Sequence, residues 1–167
     1  MALIRALVSS CSPSEVTRSV RALLRRPERT ERLLVCQDTS GWIDIHADDL
    51  NARFKELVGD EYTVKDLRTW HGTVLAAAAF VDTDPPVNKT VIKRVESAVM
   101  KEVSEELGNT PAVARSSYVD PRVVQGYEKE ITIAAGLRRA NRVRKPGERQ
   151  AILEDSTARL IRKVARS

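Results

Sequence analysis

The sequence has few aromatic residues, cysteines and histidines. Phe, Trp and Tyr make up 4% of its 167 residues, and there are two Cys and two His. Scarce aromatic residues beside plentiful Val, Ala, Leu, Arg and Glu favour amphipathic helices over a β-sandwich or β-barrel. Cys11 and Cys36 are too few for a disulfide framework, so we expect two free thiols in a reducing cytoplasm.

Further absences limit the possible functions. His46 and His71 do not belong to a pattern typical of metal ligands, so no metal site is expected. No apolar run approaches the length that crosses a bilayer, which predicts that the protein has no membrane partner. Residues 1–54 contain no lysine, and Lys55 is the first in the chain.

Basic residues are in modest excess and are concentrated late in the chain. The 28 Lys and Arg exceed the 23 Asp and Glu by five, and from Pro111 onward there are 13 basic and 6 acidic residues. This distribution permits an anionic partner such as nucleic acid without requiring one. The alternative, a solvated helix face, stays open for runs such as LRRANRVRK.

Apolar spacing and capping residues predict a mainly α fold with one small β-hairpin. The hairpin is expected where RLLVCQ and WIDI flank DTSG, with Gly41 in the turn. The chain after Gly136 is predicted to be irregular up to the last helix. Helices are predicted over about 13–26, 47–58, 63–80, 90–107 and 148–165, with short helices opened by Pro111 and Pro121.

Tyr118 lies in the stretch LGNTPAVARSSYV, at the end of a short helix opened by proline, three residues after an arginine and nine residues after an asparagine. A tyrosine hydroxyl becomes an effective nucleophile only where positive charge stabilises the phenolate. Attack on a phosphodiester also requires donors, typically Arg forks, that stabilise the pentacoordinate phosphorane. A lone tyrosine in this position is more often a half-buried packing residue.

Together, KDLRTWHGT and LGNTPAVARSSYV resemble the catalytic half of type IB DNA topoisomerases, in particular the compact poxvirus-like enzymes found in bacteria. The resemblance implies the helical catalytic domain shared by these enzymes and tyrosine recombinases. It implies that Tyr118 forms a 3′-phosphotyrosyl link, that Arg68 is the second catalytic arginine, and that Asn109 donates a hydrogen bond to a non-bridging phosphate oxygen.

The residue three positions before Arg68, which is Lys65, distinguishes the topoisomerases from the tyrosine recombinases. Recombinases usually carry a His three residues before the second catalytic arginine, whereas Lys65 precedes Arg68 here. We therefore favour the topoisomerase interpretation, and we expect Lys65 and Arg115 to contact DNA. The resemblance implies double-stranded DNA as the partner and no cofactor, because the phosphotyrosyl bond conserves the energy of the broken phosphodiester. A monomer in the bacterial cytoplasm, associated with the nucleoid, is expected.

The sequence also departs from the family pattern. The family uses a first arginine and a general-acid lysine in a β-hairpin, both upstream of KDLRTW, and no residue here is assigned to either role. We expect residues 1–19 to be a replacement or poorly ordered start, 20–135 the catalytic region, and 136–167 a basic segment ending in a helix. The first helix is then expected to expose apolar surface. Impaired catalysis is predicted, and three alternatives stay open: a non-catalytic DNA-binding remnant, one half of a split enzyme completed by a separate amino-terminal polypeptide, and a helical scaffold.

Overall fold

The computed structural model describes residues 13–26 and 32–167. The described residues divide into two compact units, the first ending at Val64 and the second running Lys65–Ser167. Most of the predicted start at residues 1–19 therefore lies outside the described residues. Within the described ranges, no helix combines the length and the apolar character that crossing a membrane requires.

The first unit contains two helices and the predicted hairpin. Helix α1 spans Pro13–Leu24, strands β1 (Val35–Asp38) and β2 (Gly41–Asp44) form an antiparallel pair, and α2 spans Ala47–Val58. Two residues connect the strands, and Gly41 takes φ +124, a backbone conformation that residues with a Cβ rarely adopt. Hydrogen bonds from the Ser40 side chain and backbone lower the pKa of Asp38 at this turn.

Little apolar surface is buried in the first unit. Val35 and Phe54 are its buried hydrophobic residues among those the structure describes. Val16 and Leu24 on α1 are 51% and 61% exposed, and Leu50 on α2 is 46% exposed. The predicted exposure of apolar surface on the first helix is confirmed. On α2, Phe54 is buried whereas Leu50 and Leu57 are exposed.

The second unit is built from helices. They are α3 (Val64–Ala79), followed by a 3₁₀ turn (Phe80–Asp82), then α4 (Lys89–Leu107), α5 (Pro111–Val113), a π-helix (Ala114–Tyr118), α6 (Pro121–Glu128), α7 (Ala134–Ala140) and α8 (Pro146–Val164). The prediction of an irregular chain after Gly136 is wrong, because Gly136 lies within α7. Its missing side chain makes room for α8: a Cβ there would lie 2.1 Å from Ser156 Oγ.

A continuous hydrophobic core holds the second unit together. Val95, Val99 and Val103 on α4 are between 1% and 5% exposed, as the periodic apolar stripe predicts. Tyr127 on α6 stacks on Phe80 with ring centroids 4.9 Å apart, and its hydroxyl donates to a backbone carbonyl at 2.6 Å. Burial raises the pKa of Tyr127. The core therefore fixes α3, α4 and α6, which flank the motif residues.

Candidate active site

Tyr118 is the last residue of the π-helix that continues α5. Thr110 caps α5, its Oγ1 accepting a hydrogen bond from the Val113 N–H at 3.3 Å. The π-helix ends at Tyr118, and the next residue, Val119, is extended with φ −122 and ψ 124. Short π-helical segments are uncommon and occur frequently at functional sites. The side chain of Tyr118 is half-buried, so part of it stays open to solvent.

Arg68 lies on α3 and reaches the ring of Tyr118. Its guanidinium carbon is 5.1 Å from the ring centroid, within the ~6 Å range of cation–π contacts. The Nη2 group of Arg68 donates a hydrogen bond to the carbonyl of Leu107 at the end of α4. One arginine thus links residues that are 39 and 50 positions away in the chain.

Asn109 lies just beyond α4, where Gly108 ends the helix in the left-handed conformation with φ +63. The Asn109 N–H donates to the carbonyl of Ser104 at 2.8 Å, which fixes the backbone after the helix. Its side-chain Nδ2 lies 3.5 Å from the carbonyl oxygen of Leu107, the same oxygen that Arg68 contacts. The donors of Arg68 and Asn109 therefore converge on one oxygen.

Two hydroxyl groups on α3 hold the backbone on either side of Tyr118. Thr69 Oγ1 lies 3.2 Å from the carbonyl oxygen of Ser117 and 3.2 Å from that of Lys65 on its own helix, so its single proton is shared between the two. Thr73 Oγ1 accepts a hydrogen bond from the N–H of Asp120 at 3.0 Å and donates one to the Thr69 carbonyl at 2.7 Å. These contacts were not expected from the sequence, because a Thr inside a helix carries no signal of a partner about 47 residues away.

Lys65 and Arg115 occupy different surroundings. Lys65 is exposed in the first turn of α3. Arg115 Nη2 lies 2.8 Å from Glu96 Oε1 on α4, and the Glu96 side chain is only 13% exposed. The Arg115 side chain is 54% exposed, and its guanidinium is paired with a carboxylate that sequence reasoning did not identify. The predicted DNA contacts of Lys65 and Arg115 stay predictions.

Asp120, two residues after Tyr118, caps α6. Its Oδ1 accepts a hydrogen bond from the Arg122 N–H at 2.9 Å, and the Arg122 side chain contacts both carboxylate oxygens at 2.5–3.2 Å. Burial acts to raise the pKa of Asp120, but the side-chain and backbone hydrogen bonds from Arg122, with its charge, lower it below the usual value. Asp120 is therefore held as an ionised cap.

The two histidines belong to different units of the chain. His46 precedes α2 in the first unit, and His71 is exposed on α3, three residues after Arg68. No group of three or more His, Cys, Asp or Glu that could hold a metal ion is found within residues 13–26 and 32–167.

The sequence of the chain is similar to those of known DNA topoisomerases. The sequence model of the catalytic core of eukaryotic DNA topoisomerase I matches residues 14–142. A DNA topoisomerase 1B of Acanthamoeba polyphaga mimivirus is 30% identical over 83 residues, which cover 48% of this chain and 25% of that protein. The chain thus spans only about a quarter of that relative's length.

The helical fold and the match over most of the chain define a catalytic core of the topoisomerase I class. The chain belongs to the type IB DNA topoisomerase family. The predicted fold class, a mainly α catalytic domain with one small β-hairpin, is confirmed.

Proposed function

We propose that this chain cleaves and reseals one strand of double-stranded DNA by type IB chemistry, which relaxes supercoils. The Tyr118 oxygen attacks a phosphodiester, forming a bond to phosphorus while the bond to the 5′-oxygen breaks. The phenol proton passes to solvent, and the 5′-oxygen leaves and takes up a proton. Resealing is the reverse reaction, and the energy of the broken bond is retained in the phosphotyrosyl link, so no cofactor is required.

The observation that carries this proposal is the convergence of Arg68, Asn109 and Tyr118. The Arg68 guanidinium lies 5.1 Å from the Tyr118 ring centroid, and its Nη2 shares the Leu107 carbonyl with Asn109 Nδ2. Donors that meet at one oxygen in the free protein are able to meet at one phosphate oxygen. A guanidinium fork and an amide stabilise the negative charge that grows on the phosphorane without any change in their own protonation.

We expect this chain alone to catalyse the reaction slowly. No lysine lies in the hairpin or elsewhere in residues 1–54, and loss of a general acid usually slows such a step by about 10² to 10⁴. The second candidate function is therefore a DNA-binding remnant without turnover, and a third is one half of a split enzyme completed by a separate amino-terminal polypeptide.

The test is a suicide-cleavage assay. The scissile strand of a duplex is 5′-labelled, and a short 3′ piece dissociates after cleavage, so the labelled DNA stays attached to protein. We expect a covalent band that Tyr118→Phe abolishes. Tyr62→Phe, which also removes one half-buried tyrosine hydroxyl, is the matched control and should keep the band. No band from folded protein that still binds DNA would support the remnant or the split enzyme.

Binding to DNA is expected to depend on phosphate contacts from Lys65 and Arg115. Each Lys or Arg that neutralises a phosphate contributes about one unit to the slope of log affinity against log salt. Lys65→Gln should therefore lower that slope by roughly one. Arg115→Gln should lower it less, because Arg115 must first leave Glu96. Equal slopes for the parent protein and Lys65→Gln would remove Lys65 from the interface.

We expect a monomer, which sedimentation of the purified chain would check. We also expect it in the bacterial cytoplasm, associated with the nucleoid, where its DNA substrate lies.

A further inference from the structure

One face of α3 lies against the backbone that carries Tyr118. Residues 69, 72 and 73 share this face because positions three and four apart lie on the same side of a helix. Thr69 contacts the carbonyl before Tyr118, and Thr73 accepts from the N–H two residues after it. The hydroxyl groups thus hold the chain on both sides of the candidate nucleophile.

Gly72 provides the space between these two contacts. A Cβ at Gly72 would lie 2.5 Å from the Tyr118 carbonyl oxygen and 3.1 Å from Leu107 Cδ1. A real Cβ does not approach a backbone oxygen so closely, so any side chain would displace the Tyr118 segment, the end of α4, or both. Glycine inside a helix lowers its stability by about 0.5–1 kcal/mol relative to alanine. Here the missing side chain permits the close approach.

The same helix also carries Arg68. Arg68 is adjacent to Thr69 in sequence and one helical turn before Gly72, and its guanidinium lies against the Tyr118 ring. Helix α3 therefore fixes both the backbone position of Tyr118 and the position of the Arg68 guanidinium. A shift of the Tyr118 segment along α3 would change the distance between the tyrosine oxygen and the arginine donors.

We propose that Thr69, Gly72 and Thr73 are positioning residues that fix Tyr118 relative to Arg68. The inference rests on the proposed nucleophilic role of Tyr118. None of the three residues is assigned contact with DNA; they act through the backbone of residues 117–120. Their replacement should lower the rate of strand cleavage while leaving the affinity for DNA unchanged.

Thr73 offers the sharper test, because Thr157 is a close match. Both threonines are at most 1% exposed, and each hydroxyl donates to the carbonyl four residues earlier, at 2.7 Å and 2.8 Å. The Thr73 hydroxyl differs in that it also accepts a hydrogen bond from the Asp120 N–H. Thr73→Val and Thr157→Val therefore each remove one buried threonine hydroxyl that bonds within its own helix. Only Thr73→Val also removes a contact to the Tyr118 segment.

Single-turnover cleavage and DNA affinity are measured for these variants on the suicide duplex. Thr73→Val should cleave about tenfold more slowly, the effect of losing one hydrogen bond, with its dissociation constant within twofold of the parent. Thr73→Ser keeps the hydroxyl and should restore the rate, and Thr157→Val should cleave like the parent at matched fractions folded. Equal slowing by Thr73→Val and Thr157→Val, or none by either, would overturn the inference.

Gly72→Ala tests the close approach. We expect cleavage to fall about 100-fold, the scale of an ångström-sized misplacement of a reacting group, again without loss of DNA affinity. Gly126→Ala is the control for crowding elsewhere, because its Cβ would meet the Ile131 carbonyl at 2.9 Å. It should destabilise the fold without changing the cleavage rate of the folded fraction. Parent-like cleavage by Gly72→Ala would contradict the inference.

Amide exchange measured by NMR separates this inference from the proposed function. The Asp120 N–H should exchange about tenfold faster in Thr73→Val than in the parent, Thr73→Ser or Thr157→Val. This readout requires no catalysis. If the parent forms no covalent adduct but Asp120 responds as expected, the proposed function fails and the anchoring by α3 stands. Unchanged Asp120 exchange in Thr73→Val would contradict the anchoring itself.

Discussion

Arg68 is the residue whose replacement best separates a requirement for charge from a requirement for geometry. Its guanidinium both donates to the Leu107 carbonyl and lies against the Tyr118 ring. A lysine keeps the positive charge but lacks the planar fork, which matches the oxygens of a phosphate. Replacement by lysine and by alanine should therefore have graded effects.

We predict that Arg68→Ala slows cleavage about 10²- to 10³-fold, as loss of one transition-state donor does. Arg68→Lys should recover only part of this loss. The measurement is the single-turnover cleavage rate on the suicide duplex. Lys93→Ala, which removes an exposed cation on α4, is the control. If Arg68→Lys were as fast as the parent, charge alone would suffice and the fork would be dispensable.

At the scale of single elements, helix α6 depends on the charge of its cap. Asp120 is ionised at neutral pH, and its pKa lies below the usual value because of the Arg122 hydrogen bonds and charge, which outweigh burial. A carboxyl group with a lowered pKa in the folded protein stabilises the fold above the pKa of the unfolded chain. That stabilisation is lost as the pH falls through the folded value.

Asp120→Asn should therefore lower the free energy of unfolding most at neutral pH. Asparagine is also a good N-cap, so the variant loses the pairing with the Arg122 charge rather than the cap. Urea unfolding at a series of pH values should show the free-energy difference from the parent shrinking as the pH falls below the usual Asp pKa of about 3.9 and through the lower folded value. Asp60→Asn, at an exposed site, is the control. A difference that does not change with pH would show that the charge of Asp120 contributes nothing to stability.

The elements with local signals were predictable from the sequence, and those set by distant contacts were not. Gly108 ends α4 and Pro121 opens α6, as their residue types indicate. The π-helix that ends at Tyr118 was not predicted, since hydrogen bonds between its end and residues of α3, 48 and 47 positions away in the chain, hold it. Helix α7 was missed because Gly136 indicated a break, whereas it permits close packing on α8.

The site shows the same division. The motifs predicted Tyr118, Arg68 and Asn109 as site residues, because their residue types and spacing resemble those of a known family, and their catalytic roles stay predictions. The role of Glu96 as the partner of Arg115 was not predictable, since it requires knowing how α4 packs against the π-helix. A glycine inside an amphipathic helix, as at Gly72, was the one local signal of a close backbone approach.

At the scale of the whole molecule, the two units differ in how much apolar surface they bury. Buried hydrophobic residues cluster in the second unit, with Val99 and Val103 at 2% and 1% exposure. In the described part of the first unit only Val35 and Phe54 are buried. Few buried apolar contacts mean that a segment opens at low free energy.

Amide exchange should therefore be uneven along the chain. We predict that α4 is protected at least about 100-fold more strongly than α2, equivalent to about 2.7 kcal/mol in opening free energy. Exchange measured by mass spectrometry on peptides from both helices would test this, and α8 should behave like α4. Equal protection in α2 and α4 would show instead that the two units open together.

The carbonyl of Leu107 occupies the donors that the proposed reaction requires. Binding of DNA to Arg68 and Asn109 is then an exchange, in which a neutral carbonyl oxygen is replaced by a phosphate oxygen. The lost carbonyl contact weakens the binding of the ground-state phosphate and of the transition state equally, while the charge-assisted bonds strengthen further as negative charge accumulates on the phosphorane. A built-in competitor of this kind therefore limits how tightly the substrate binds without removing the extra stabilisation of the transition state.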